Sequence, residues 1–227
     1  MGSYKVVSVD MFQTLVDVHS GHYRFWKEVL NEHYSDSLAE EYTSLWAEIF
    51  AGNFENAGRQ KDGFQNLETI FKNCFEELFR HLKLCFDPGQ AARIQIDLHR
   101  TASPYEDTES FLKAAGQDRP VCLVSDADEE MIQTQLSKYQ FDRVFISERL
   151  KSYKNDSGSR VFQAVLTHYQ TRPEEIIHIG DGYADVNGAH QAGIITCWLN
   201  RDGTAWDYEL KPDFVAGSLT EAAELIV

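Results

Sequence analysis

The sequence has no apolar run near the roughly 18 residues that cross a bilayer, and no basic segment followed by an apolar one at its start. Both absences predict a cytoplasmic protein. Met1-Gly2 opens as a myristoylation signal does, but Val6 stands where Ser or Thr is required. Basic residues are scarce, with 21 against 36 acidic ones, a formal charge of -15 and no basic stripe. Such a surface repels polyanions, which excludes nucleic acid and anionic membranes as partners and leaves room only for local capture of a small anion. Cysteine pairs are also missing: Cys74, Cys85, Cys122 and Cys197 are isolated, with no Cys-x-x-Cys ligand spacing. Two of them sit in apolar runs, which predicts buried reduced thiols. There is no internal repeat and no low-complexity tract. The sequon Asn155-Asp156-Ser157 has no other sign of secretion beside it.

What is present is core-forming material. At 227 residues and 43% hydrophobic, the chain suits one large domain or two modest ones. It opens on the apolar run Val6-Val7-Ser8-Val9, which stops at Asp10. Helical periodicity then takes over to about residue 115. Phe25, Trp26, Val29 and Leu30 form one stripe, and Leu38, Tyr42, Leu45, Trp46, Ile49 and Phe50 a second. Leu67, Ile70, Phe71, Cys74, Phe75, Leu78 and Phe79 make a third. The aromatics of these stripes read as core, and the polar stretch Gly52 to Gly63 reads as a loop between helices. From Pro120 onward, apolar runs ending at Ser125, Ser147, Asp181 and Leu199 alternate with helical patterns. That alternation predicts an α/β fold with a Rossmann-like parallel sheet, covered by helices on both faces. The chain divides into a core of residues 1–16 and 101–227 and a small all-helical insertion over 17–100.

Asp10, Ser125 and Asp181 each end an apolar run, so in one parallel sheet they meet in the crevice at the carboxyl ends of the strands. The plain alternative is that each caps the turn or helix that follows. With these residues the chain resembles the haloacid dehalogenase-like hydrolase superfamily along nearly its whole length. Asp10 with Thr14 and Leu15 is similar to the first family motif, Ser125 to the second, and Lys154 to the third. Gly180-Asp181 with Asp185 is similar to the fourth.

The resemblance implies a helical cap where the insertion lies. It also implies Asp10 as nucleophile, with Thr14, Ser125, Asp126 and Lys154 toward a small phosphorylated or otherwise anionic substrate. It further implies Mg²⁺ held by Asp10, the Phe12 carbonyl and Asp181, with Asp185 as a ligand through water or a supporting hydrogen-bond partner. Asp126 replaces the Asn of many relatives, and reads as a helix cap with Glu129 three residues on.

Phe12 is the main departure, because the family's phosphatases carry there an aspartate that protonates the leaving alkoxide. Its loss removes about 10²- to 10⁴-fold in rate for poor leaving groups. The leading expectation is a Mg²⁺-dependent phosphatase forming an aspartyl-phosphate at Asp10 and restricted to good leaving groups. A phosphonatase-like variant would use a cap lysine such as Lys61. One alternative is a 2-haloacid dehalogenase, a branch with an aromatic residue at the Phe12 position and similarity over Asp17-Val18-His19-Ser20 and Cys197-Trp198-Leu199-Asn200-Arg201. That branch has Ser-Asn in place of Gly180-Asp181, works without a metal, and carries a cap arginine where Ala47 follows Leu45-Trp46. A weakly active member that binds a phosphorylated ligand is the third reading. His19, His22 and Arg24 read as a polar helix start, with supply of the missing proton as their functional alternative.

Overall fold

Val6–Val9 form β1, an inner strand of a six-stranded sheet, because alternate side chains find apolar cover on both faces. The computed structural model describes residues 4–59, 63–158 and 160–226. After β1 come β2 (Val16–Asp17), α1 (His22–Leu30), α2 (Asp36–Arg59), α3 (Leu67–Leu82), α4 (Pro88–Arg100) and β3 (Ser103–Pro104). The chain continues through α5 (Thr108–Ala115), β4 (Val121–Ser125), α6 (Glu129–Lys138), β5 (Arg143–Ile146), α7 (Ser147–Leu150) and α8 (Arg160–Tyr169). It ends with β6 (Ile176–Gly180), α9 (Tyr183–Gln191), β7 (Ile195–Leu199), β8 (Phe214–Ala216) and α10 (Leu219–Ile226).

The sheet order is β5-β4-β1-β6-β7-β8, and every pairing in it is parallel. Val7, Val9, Leu123, Ile177 and Ile179 pack on one face with Phe111 of α5 and Leu219 of α10. Val6, Cys122, Val124 and Ile176 pack on the other with Val161, Phe162 and Val165 of α8. The period-2 alternation of the strands therefore delivers the two-faced α/β layer that the sequence predicts. Cys74, Cys122 and Cys197 are buried and free, Cys85 is exposed and free. No helix of the described residues is long and apolar enough to cross a membrane.

The chain leaves the sheet along β2 and returns along β3, a short antiparallel pair with Val16 opposite Pro104. Two residues per strand are too few for periodicity to reveal. Between them α1 to α4 gather around Trp26, Phe71, Phe75, Leu78 and Ile96, and this cluster extends to Met131 of α6 and to Tyr153. The expectation of a loop from Gly52 to Gly63 is corrected, since α2 runs unbroken to Arg59 and residues 60–62 lie outside the described set. Packing against α3 overrides the weak propensities of Gly52 and Asn53, and the Asn53 amide bonds the Ile49 carbonyl and Glu77 of α3.

Candidate active site

β1 sits between β4 and β6, which fixes what surrounds its end. The Asp10 N–H continues the ladder to the Ile179 carbonyl at 2.9 Å, so the carboxylate emerges level with the ends of both neighbours. Its Oδ1 accepts from Ser125 Oγ at 2.9 Å and from Lys154 Nζ at 2.8 Å. Both of these hydrogen bonds fall on Oδ1 and leave Oδ2 outside them. Lys154 also donates to Asp185, and the Asp185 carboxylate further accepts from His178 Nε2 at 2.9 Å and from the Gly182 N–H at 3.1 Å. His178 in turn pairs through Nδ1 with Ser8 Oγ at 2.8 Å. Two glycines make this packing possible. A Cβ on Gly180 would stand 2.2 Å from the Asp185 carboxyl carbon, and one on Gly188 2.2 Å from the Lys154 carbonyl oxygen.

Four acidic side chains around one ammonium create strong and opposed pKa shifts. Burial raises Asp10 above the ordinary aspartate value, with Lys154 and Ser125 working against it. Burial also opposes ionisation of Asp185, yet Lys154 and His178 hold it well below the usual carboxylate range. Asp181 is pushed well up by burial and by the charges of Asp185 and Asp10. Burial alone would lower Lys154, but Asp10, Asp185 and Asp126 hold it above the usual lysine value. These carboxylates favour the charged ammonium, which is the internal counter-ion of the site.

Asp10, Asp181 and Asp185 each offer a ligand atom within 4.8 Å of the others, a set able to hold a metal ion. A hard divalent cation suits such oxygens, and the Asp10 Oδ2 and Asp181 carboxylates are the ones outside the Lys154 hydrogen bonds. Phe12, expected as a carbonyl ligand, turns its ring into the cavity and meets His99 of α4 edge-on at 4.7 Å.

The cavity over Asp10 has a volume of 220 Å³. Ser125, Asp126, Lys154 and Asp181 line its polar floor, while Trp46, Phe50, Phe54, Leu67 and Phe71 of the helical block line its apolar side. Thr14 lies outside this lining: it is fully buried, its hydroxyl is unpartnered, and its carbonyl accepts from Arg201 at 3.0 Å. The capping role of Asp126 is corrected, because the residue before α6 is Asp128, and Asp126 instead accepts the Lys154 N–H at 2.9 Å. Burial pushes Asp126 up to about 7. His19 and His22 line a separate polar cavity of 380 Å³ that shares Gln13 and Asp181 with the first. Lys61 lies outside the described residues.

A sheet-end aspartate held by a serine and a lysine, beside a second acidic loop and beneath a helical insertion, matches a known pattern. The family model of haloacid dehalogenase-like hydrolases matches residues 4–193. The chain belongs to this hydrolase family. An (S)-2-haloacid dehalogenase of Pseudomonas fluorescens is 27% identical over 96% of this chain and 94% of its own length. The phosphoserine phosphatase of Thermus thermophilus is 32% identical over 78% of this chain and 71% of its own length. A dehalogenase crystal structure superposes with a TM-score of 0.82 at 23% identity, covering 99% of this chain and 98% of that one, and so shares the fold. (S)-2-haloacid dehalogenases recur among the relatives. These likenesses overturn the expectation of a phosphatase and favour the dehalogenase branch of the family.

Several members of the site escape sequence reading. Ser8 and His178 carried a usable signal, as polar residues inside otherwise apolar strands that pair face to face at one register position. Asp128 carried none. Its buried carboxylate leaves the β4–α6 loop and accepts the Leu67 and Glu68 N–H groups at 2.9 and 2.8 Å, in the first turn of α3. Tyr153, next to Lys154, donates its hydroxyl to the Gln65 carbonyl at 2.6 Å. Both contacts tie the helical block to the loops that carry Ser125 and Lys154.

Proposed function

We propose that the protein is a hydrolytic dehalogenase that releases halide from 2-haloacids through an ester on Asp10. The observation that carries the reading is Phe12, an aromatic ring beside the nucleophile where a proton donor would otherwise stand. A halide leaves as a stable anion and needs no general acid, so this substitution costs such a reaction little. Asp10 Oδ2 attacks the carbon bearing the halogen; the carbon–oxygen bond forms as the carbon–halogen bond breaks, and the halogen departs as halide with the bonding electrons. Water then adds to the Asp10 carboxyl carbon. This releases a 2-hydroxy acid, restores the carboxylate, and sends one proton to solvent.

Within this scheme Lys154 and Ser125 orient Asp10 through Oδ1 and present the site's cation and hydroxyl to an anionic substrate. Asp185 and His178 hold Lys154 in place. The aromatic side of the cavity keeps water from the attacking oxygen, which is otherwise solvated and less reactive. Asp10 and Asp181 are the groups that would hold Mg²⁺, which would supply charge neutralisation between the two carboxylates. The halide displacement itself runs on the residues above. We also assign residues 17–100 the role of a cap over Asp10, supported by the cavity side chains that α2 and α3 supply.

The test is halide release from (S)-2-chloropropionate with a chelator present. Chloride and 2-hydroxy acid in equal amounts are expected. No release from any 2-haloacid would sink the reading.

A further inference from the structure

Trp46, Phe50 and Phe54 recur every four residues on α2 and therefore share one face. Their rings run as a ladder, with Trp46 on Phe50 at 5.1 Å and 9° and Phe50 on Phe54 at 5.3 Å and 29°. All three are only half-buried although they line the cavity over Asp10, whereas Phe71 beside them is 2% exposed. The ladder continues through further rings as far as Phe12, two residues after Asp10. Phe50 meets Phe71 at 5.6 Å, Phe71 meets His99 at 5.6 Å, and His99 meets Phe12 at 4.7 Å.

Half-buried rings along a cavity leave apolar surface that a further ring can cover face-on or edge-on. The cavity, at 220 Å³, falls below the roughly 300–1,000 Å³ of sites for drug-sized ligands, which limits it to one ring beside the reacting carbon. His99 adds a polar boundary without charge. Its Nδ1 is engaged by the Gln95 carbonyl at 2.8 Å, and burial pushes its pKa down to about 4.

We infer that the substrate carries an aryl group on the carbon that Asp10 attacks or one carbon removed, stacked on the Trp46–Phe50–Phe54 ladder. This rests on the dehalogenase reading and narrows it to aryl-substituted 2-haloacids. The reaction balances as before: an aryl-bearing 2-chloro acid and water give the 2-hydroxy acid, chloride and a proton.

The experiment pairs turnover with binding. The kcat/KM for 2-chloro-3-phenylpropionate is compared with that for 2-chloropropionate, and the binding of 3-phenyllactate with that of lactate, by calorimetry. Burying one phenyl group is worth about 30-fold in each ratio. Phe54→Ala should collapse both ratios, and Phe54→Leu, which keeps apolar bulk, should restore part of each. Ratios near one in the wild-type protein overturn the aryl assignment while leaving dehalogenation intact. Tighter binding of 3-phenyllactate without halide release from either acid supports the ladder as an aryl subsite and removes the dehalogenase reading. Ratios that persist in Phe54→Ala overturn the role of the ladder.

Discussion

Below the cavity, Ser125, Asp10, Lys154, Asp185, His178 and Ser8 form, in that order, one connected hydrogen-bond chain. Above it, Trp46, Phe50 and Phe54 stack on one another along the cavity wall, lean on Phe75 and Tyr153 behind it, and remain half-buried. The floor carries charge in a buried place, so each polar atom there needs a partner and small displacements are expensive. The roof carries no charge, and non-directional contacts let it adapt to what it covers. The contrast separates two duties. Under the proposed reaction, the floor would fix reactivity and the roof would choose the substrate.

Removing the nucleophile breaks the contrast most severely. Asp10→Asn is expected to lower halide release by about 10⁴-fold or more while leaving the roof able to bind product, measured by chloride release and by calorimetry. Lys154→Met comes next. It leaves Asp10 and Asp185 buried without their cation, and should cost about 3–5 kcal/mol of stability in urea unfolding. A loss within error would mean that the floor does not depend on its counter-ion.

Asp128→Ala probes the joint between the two regions. Two N–H groups at the start of α3 lose their acceptor, for about 1–3 kcal/mol, and Asp128→Asn should recover part of it. The smallest effect is in pH. Asp10 attacks only when ionised, and burial raises its pKa above the usual 3.8, so kcat/KM should fall as pH drops through a value above 3.8. An acid limb at or below that value would contradict a desolvated nucleophile.

The two regions also differ in how far the sequence discloses them. Asp10, Ser125 and Asp181 stand out because each interrupts an apolar run at a strand end, and the parallel sheet carries all three ends to one place. The Ser8–His178 pair is fainter, since its partner positions depend on the register of β1 against β6. The roof is nearly silent. An aromatic every fourth residue on a helix looks the same whether it faces a packed core or a cavity, and only exposure separates Trp46 and Phe50 from Phe75 and Phe79. Polar composition misled at Gly52 and Asn53, where contact with α3 keeps α2 helical. Asp128 illustrates a different limit, because its partners lie about 60 residues away and no local pattern announces them.

An ester formed at Asp10 is the central step of the proposed reaction, and a single turnover in H₂¹⁸O tests it most directly. With enzyme in excess over the 2-chloro acid, the first hydroxy acid released should carry ¹⁶O taken from Asp10. The peptide containing Asp10 should gain ¹⁸O by mass spectrometry. Appearance of ¹⁸O in that first product, with Asp10 unlabelled, would show direct attack by water and contradict the account.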